Sequence, residues 1–387
     1  VQEGSCRQSF RFWPALVKLN RVSAMGMQGW RALLGLVVGL AACSRGAVPE
    51  LVEPGAPASG PREEPIVETA PPPDLDSEGL LIGEFRLSER PIVDGDTIRV
   101  TGVDGSVRLL SIDTEEKLRG NKARAEVAKD FEAYRERKRS RSSRPPKMGT
   151  PMGEEATEFA RSFFEGAEVV RLERDDPKKL RGSYGRLLAY AFVRKEGRWV
   201  SYNVECVRAG MSPYFTKYGY SHRCHNQLSR AEAEAKEAQR GIWSPDAKGY
   251  GDYEERKTWW NARADFIRAF EHAANGREDY VDLARWDAED FLESKLGDEV
   301  TLLSNVDRIQ RFKKLTRVTL AMTQGRGFPV IFFDQKPFLE SNVAAFAKEP
   351  IRVRGTLSLY ETGEYRTLQI VVTSASQITL PGLRPTD

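Results

Sequence analysis

Five short runs rich in apolar and β-branched residues lie between Ile82 and Val193: Phe85-Arg-Leu, Thr97-Ile-Arg-Val, Val107-Arg-Leu-Leu-Ser-Ile, Glu168-Val-Val-Arg-Leu and Arg186-Leu-Leu-Ala-Tyr-Ala-Phe-Val. Runs of this length, punctuated by Gly102 and Gly105, predict a mostly β body with a hairpin between the second and third strands. Helical stretches are predicted at Glu154–Glu165, Tyr202–Ala209 and Gln227–Gln239. The first of them places Ala156, Phe159, Ala160 and Phe163 on one face. A second set of strand-like runs begins at Val300-Thr-Leu-Leu, Arg317-Val-Thr-Leu-Ala-Met and Pro329-Val-Ile-Phe-Phe. A helical stretch follows at Phe338–Ala347, then Ile351-Arg-Val-Arg-Gly-Thr-Leu and Leu368-Gln-Ile-Val-Val. Three strands, a helix and two strands is the order of a five-stranded OB barrel. This C-terminal set gathers no cluster of catalytic residue types, so it is expected to be a non-catalytic module.

Between the two β sets, residues 250–296 read as helical. Trp259, Trp260, Phe266, Ile267 and Phe270 fall at roughly helical spacing, followed by Tyr280, Leu283, Trp286 and Phe291; packing is expected of them rather than base stacking. Residues 117–147 interrupt the first body with twelve Lys or Arg against four Asp or Glu. Such a segment is either a solvated insertion, part helix and part disorder, or an arm that contacts a phosphate backbone. The formal net charge of +3 says little, because residues 1–42 hold five basic side chains and one acid and the remainder is close to neutral. A nucleic-acid role therefore rests on local patches rather than bulk charge.

The N-terminus reads as a targeting segment, with Met25 or Met27 as a sensible start. Arg31 precedes an apolar run, Ala32 to Ala42, that is too short for a good membrane span. Leu40-Ala-Ala-Cys43 resembles the cleavage box of bacterial lipoprotein signal peptides. That resemblance implies lipidation of Cys43 and a membrane anchor; an ordinary secretory signal with a chance cysteine is the alternative. Ala47 to Pro73, rich in Pro, Ala, Gly and Glu, reads as a flexible tether. Cys206 and Cys224 are the cysteines of the folded body, and export favours a disulfide between them. Free thiols, or a zinc site with His222 and His225, are the other readings, although the spacing fits no established zinc pattern.

The chemistry is concentrated in three segments: Val93-Asp-Gly-Asp-Thr97, Arg108-Leu-Leu-Ser-Ile-Asp-Thr-Glu-Glu116 and Tyr184-Gly-Arg186. Asp94 and Asp96, two apart, would share one face of a strand, with Gly95 letting the backbone bend or approach an ion. Arg108 and Asp113 have opposite parity, so they serve one site only if the strand ends or bulges near Ile112. Carboxylates bind a hard cation and arginines grip a phosphate in bidentate fashion. With no histidine or cysteine among them, the set favours calcium or magnesium over zinc. The bland alternative makes the aspartates turn formers and Arg108 a surface charge.

These motifs, with Tyr184-Gly-Arg-Leu-Leu-Ala-Tyr190 and the closing Ala231-Glu-Ala-Glu-Ala…Gly241-Ile-Trp243, stand in the order seen in the staphylococcal nuclease (thermonuclease) family. The resemblance covers residues 80–245. It implies an OB barrel with packed helices and calcium-dependent hydrolysis of DNA or RNA to 3′-phosphate ends. Asp96, Asp113 and the Thr114 carbonyl would hold one Ca2+, Glu116 would orient or deprotonate water, and Arg108 and Arg186 would hold the phosphate. Tyr184 and Tyr218 would line the nucleotide pocket. The chain departs from the family pattern at Glu115, where proline is usual and an extra charge is expected beside the metal. It departs again at Thr216, in place of a pocket tyrosine, and in the basic insertion.

The resulting layout is an upstream segment and signal peptide (1–42), a tether (43–79), a nuclease-like domain (80–245, insertion 117–150), a helical connector (250–296) and an OB-like domain (297–387). The fold class is mainly β with α. The function expected is that of an exported, lipid-anchored endonuclease acting on DNA or RNA, with no protein partner indicated. The competing reading is a non-catalytic nucleic-acid-binding envelope protein on the same fold, disfavoured because Asp96, Arg108, Asp113, Glu116 and Arg186 are all present.

Overall fold

The architecture comes from a computed structural model that describes residues 79–142, 144–182, 185–325 and 327–382. The first barrel opens with two consecutive runs, β1 (Leu81–Phe85) and β2 (Leu87–Asp94), followed by β3 (Thr97–Val100) and β4 (Val107–Leu109). Helices α1 (Gly120–Lys129), α2 (Phe131–Arg139) and α3 (Pro151–Phe164) separate β4 from β5 (Val170–Glu173), β6 (Leu187–Lys195) and β7 (Arg198–Ser201). The strands are ordered β1-β5-β6-β4-β3-β2, with β4 and β6 parallel. Because β1 runs on into β2, the two ends of that order belong to one bent strand, and the sheet closes as an OB barrel. Strand β6 pairs with β4, β5 and β7, which explains its unbroken apolar reading: Leu187, Ala189, Tyr190, Ala191 and Val193 are all buried.

Helix α3 caps the barrel. Thr150 accepts the Gly153 N–H at its start and Pro151 takes the first turn, where no amide donor is needed. Its Met152, Ala156, Ala160 and Phe163 recur at helical spacing and are buried. Helices α4 (Tyr202–Arg208) and α5 (His225–Glu237) follow, then the long α6 (Tyr253–Ala274). Tyr202 of α4 closes the core against Phe159, Phe163 and Phe164 of α3.

The connector is not wholly helical. After α6 the chain adds β8 (Tyr280–Asp282), which pairs in parallel with the first strand of the second barrel, and then α7 (Ala288–Glu293). The aromatics of α6 pack as expected: Trp260 meets Phe215 edge-on, and Ile267 and Phe270 bury against Leu303.

The second barrel comprises β9 (Glu299–Arg311), β10 (Thr316–Ala321), β11 (Gly327–Phe332), α8 (Gln335–Ser341), β12 (Pro350–Thr362) and β13 (Tyr365–Val371). The order β12-β13-β11-β10-β9 closes through a β12–β9 ladder, and β11 and β13 are parallel. This is again OB topology, in the strand–strand–strand–helix–strand–strand order read from the sequence. The two barrels have separate cores, the second built on Val318, Leu320, Val330, Phe332, Val353 and Ile370 among others. No helix among the described residues is long and apolar enough to cross a membrane.

The insertion folds rather than fraying. Helices α1 and α2 contribute Val127, Phe131 and Tyr134 to a small core with Met148, Met152, Ile242, Tyr250 and Tyr253. Arg137 pairs with Glu126, and Arg139 reaches Glu255 at 3.1 Å, so a good part of the excess charge is answered internally.

The expected Cys206–Cys224 disulfide is absent: both are free, buried thiols. They sit in different surroundings. Cys206 on α4 lies by Tyr202 and the Asp96–Arg108 pair, while Cys224 precedes α5 among Arg223, Asp175 and Glu173. Burial pushes their thiols up to about 12 and about 11, so neither is a ready thiolate. The zinc alternative fails as well. His225 Nδ1 lies 3.1 Å from the Tyr214 hydroxyl and His222 Nε2 3.4 Å from Glu271, and no group of three or more metal-ligating side chains is gathered among the described residues.

Candidate active site: an arginine between two buried carboxylates

Asp94 ends β2 and Asp96 is the second residue of the two-residue turn Gly95-Asp96, so the two do not lie along one strand. Asp94 pairs with Thr97, and the Asp96 N–H donates to Asp94 Oδ1 at 3.2 Å. The close approach that Gly95 permits is to protein. A Cβ there would stand 2.8 Å from the Thr114 side chain and 2.9 Å from Ala156 of α3. Arg108 sits on β4 opposite Thr97. The strand ends at Leu109 and Ser111 adopts a φ of 60°, which swings Asp113 back to the side of Arg108 despite its opposite parity. The break anticipated near Ile112 is thus a left-handed turn one residue earlier.

The guanidinium bridges the two acids. Arg108 Nη1 lies 2.5 Å from Asp96 Oδ2 and Nη2 donates to Asp113 Oδ1 at 2.7 Å. The Thr114 N–H reaches Asp96 Oδ2 at 3.2 Å, and the Asp113 N–H donates to Ser212 Oγ at 2.8 Å. A second cation arrives from the insertion, where Lys147 Nζ donates to Asp113 Oδ1 at 2.7 Å. Burial pushes the Asp96 carboxyl above the usual range; Arg108 offsets part of this, while Asp113 and Asp94 add to it. Asp113 is also opposed by burial, but Lys147 and Arg108 outweigh that and hold its carboxyl low. Lys147 was missed in the sequence because nothing in a charge run marks one lysine as turned inward.

Two buried carboxylates, here paired with Arg108 and Lys147, offer donors that are all oxygen, the kind that fits a hard divalent cation. The side chains would supply two of the six to eight oxygens calcium takes.

Glu115 corrects an expectation. Its carboxylate does not stand beside the metal position but turns into the protein. It accepts from Tyr250 N–H at 2.7 Å, from the Tyr253 hydroxyl at 2.8 Å and from Thr150 Oγ1 at 2.5 Å. The loop is therefore braced rather than loosened. Its neighbour Glu116 stays half-exposed, with Arg119 Nη2 3.7 Å away. Its backbone is pinned: Tyr250 Oη accepts the N–H at 3.2 Å and the carbonyl accepts from Thr150 N–H at 2.9 Å. A Cβ on Gly153 would fall 2.0 Å from that carbonyl, so only glycine lets α3 approach so closely.

The remaining predicted residues are placed less centrally. Arg186 is exposed just ahead of β6, whose Leu188 pairs with Arg108 in register. Among the described residues it joins no ion pair. Tyr218 is 67% exposed, edge-on to Phe215, on the loop that also carries Lys217. Thr216 is buried and bonded to Asn261 of α6 at 2.8 Å, so it ties that loop down instead of lining a pocket. Tyr184 and Cys43 lie outside the described residues.

Lys217 extends the basic rim. Its Nζ stands 4.8 Å from the Trp259 ring centre and 5.7 Å from that of Tyr218. Burial first, then Arg263 and Lys147, lower its pKa to about 8, against the pull of Asp113 and Glu349. Between pH 8 and the ordinary lysine value near 10.5, the unfolded chain carries this proton and the folded one does not, so stability is expected to rise with pH across that window. Urea midpoints at pH 7.5 and pH 10.5 check this, and Lys217→Met should flatten the difference.

A closed five-stranded barrel with Asp96, Arg108 and Asp113 gathered at one rim defines the class: an OB-fold protein. Residues 106–245 match the family model described as staphylococcal nuclease homologue. The matched stretch takes in Arg108, Asp113, Thr114, Glu116 and Arg186 and begins after Asp96. The chain is 28% identical over 165 residues to an uncharacterized protein of Methanocaldococcus jannaschii, covering 40% of this chain and 69% of the relative. It is 30% identical over 167 residues to an uncharacterized protein of Bacillus anthracis, covering 43% of this chain and 63% of that relative.

Proposed function

We propose that the protein is a calcium-dependent endonuclease that hydrolyses phosphodiester bonds of DNA or RNA and leaves 3′-phosphate ends. The observation that carries this reading is Arg108 held between Asp96 and Asp113 at the barrel rim, with Glu116 three residues beyond Asp113 and half-exposed. Asp96, Asp113 and the Thr114 carbonyl would hold the calcium ion. When bound, it would supply positive charge to a phosphate oxygen.

The chain's own residues divide the remaining work. Arg108, held by two carboxylates, presents its remaining N–H to the phosphate, and the charge that builds there in an in-line attack strengthens the contact. Arg186 supplies the second guanidinium from just ahead of the neighbouring β6. Glu116, half-exposed on a pinned backbone, accepts the proton of the attacking water. Tyr218 offers an exposed ring against which a base can lie. We further propose that the chain is exported and anchored through lipidated Cys43; labelling with a radioactive fatty acid would tell, since an equal label on Cys43→Ser removes that residue from the reading.

Plasmid digestion tests the activity. Cleavage is expected with calcium, lost with EGTA, and reduced at least about a hundredfold in Glu116→Gln. Cleavage that ignores both chelation and the substitution rules the mechanism out.

A further inference from the structure

The β9–β10 end of the second barrel carries a set of groups that the catalytic centre does not use, although Arg311 turns toward the barrel over the Phe338 ring. In the ten residues Arg308–Arg317 there are five bases, Arg308, Arg311, Lys313, Lys314 and Arg317, and no acid. None of the five forms an ion pair among the described residues, in contrast to the insertion, where arginines find glutamates. The β9–β10 connection is tight: the Phe312 N–H donates to the Leu315 carbonyl at 2.8 Å, leaving Lys313 and Lys314 as the exposed tip. Phe312 is 52% exposed on this rigid hairpin.

Strand register places the aromatics. Arg311, Thr316 and Phe332 stand opposite one another across β9, β10 and β11, and Phe332 and Thr316 point into the barrel. One residue on, by alternation, Phe312, Leu315 and Phe333 point outward. Phe333 is 61% exposed. Arg317, two residues from Leu315, shares this outer face, and its Nε is buried without a hydrogen-bond partner. The β12–β13 hairpin carries Tyr360 and Tyr365, both exposed, with ring centres 6.3 Å apart. Exposed rings interleaved with unpaired bases match the needs of one ligand class. Unpaired nucleobases stack on flat rings while Lys and Arg follow the phosphates, and on OB barrels this exchange uses the face of the second and third strands with the flanking hairpins.

We propose that the Phe312–Leu315 hairpin, with Phe333 at the adjoining end of β11 and the outward Arg317, is a binding site for single-stranded nucleic acid. It deepens the nuclease reading by giving a polymeric substrate a hold separate from the cleavage centre. Duplex offers this face phosphates but no open base faces, so single strands are preferred.

The test uses the full chain in EGTA, so that binding is read without turnover, with a fluorescein-labelled oligo-dT of about 20 nucleotides and its duplex form. Anisotropy should show tighter binding of the single strand. Phe312→Ala should weaken it about tenfold, the loss expected for one stacked base. Lys313→Ala/Lys314→Ala should lower the salt slope by about 1.4, the counterion release of two single-strand phosphate contacts. All three positions are exposed, so melting curves should match the parent and report a folded chain. Parent-like affinity and salt slope in both variants overturn the proposal, as does a parent chain that binds no oligonucleotide at low salt. Hydrolysis of a short thymidine phosphodiester, too small to reach the second barrel, is followed in parallel with calcium. Its persistence in the variants separates failure of this site from failure of the nuclease reading.

Discussion

Arg108→Leu is expected to lower the turnover of nucleic acid by about a thousandfold, the scale for removing one preorganised donor that faces developing charge. It should also cost about 3–5 kcal/mol of stability, because it strips the partner from two buried carboxylates and leaves Lys147 to answer both. Arg108→Lys separates these effects. An ammonium restores the charge between Asp96 and Asp113, so urea stability should largely return. A single point charge cannot reproduce the fork that spans 2.5 and 2.7 Å contacts to two acids while presenting a donor to phosphate, so activity should stay low. Equal recovery of both in the lysine variant would show that Arg108 acts through charge alone.

Truncating Glu349 is expected to be the most damaging change outside the catalytic rim. It is 1% exposed at the start of β12, yet its carboxylate meets three groups from elsewhere in the chain. Arg263 of α6 pairs with it, Trp259 Nε1 donates at 3.1 Å, and Arg144 of the insertion lies 3.1 Å away. Arg263 in turn donates to the Lys217 carbonyl at 2.9 Å and to Asn305 Oδ1 of β9 at 2.8 Å. Glu349→Ala would strand a buried guanidinium and should cost about 3–5 kcal/mol, read as a lower urea midpoint. The double variant Arg263→Met/Glu349→Leu removes both charges and should recover most of the loss. The junction joins the second barrel to the insertion three residues before Lys147, so Glu349→Ala should also disturb the cation on Asp113. If the double variant proves as unstable as the single one, desolvated charge is not the source of the loss.

Much of the architecture was legible because it is local. Short apolar and β-branched runs located the barrel strands, and the helical spacing of Ala156, Phe159, Ala160 and Phe163 located α3, which begins a turn earlier at Pro151. The strand Tyr280–Asp282 was missed because three residues pairing with a distant partner leave no period to read. The disulfide reading failed for a related reason. A count of cysteines says nothing about which surroundings each thiol packs into, and Cys206 and Cys224 pack into different ones.

By itself, then, the sequence determined the strand–helix order of the second barrel and the identity of Asp96, Arg108 and Asp113, which converge at one rim, since each is written in a short segment. Only the tertiary structure decided where those side chains turn. It sent Glu115 inward to Tyr250 and Tyr253, more than a hundred residues along the chain, brought Lys147 to Asp113, and joined Glu349 to Arg263 and Arg144. Such pairings follow from burial. A charge removed from water must find a partner across whatever sequence distance the packing allows, and no local pattern records which partner that will be.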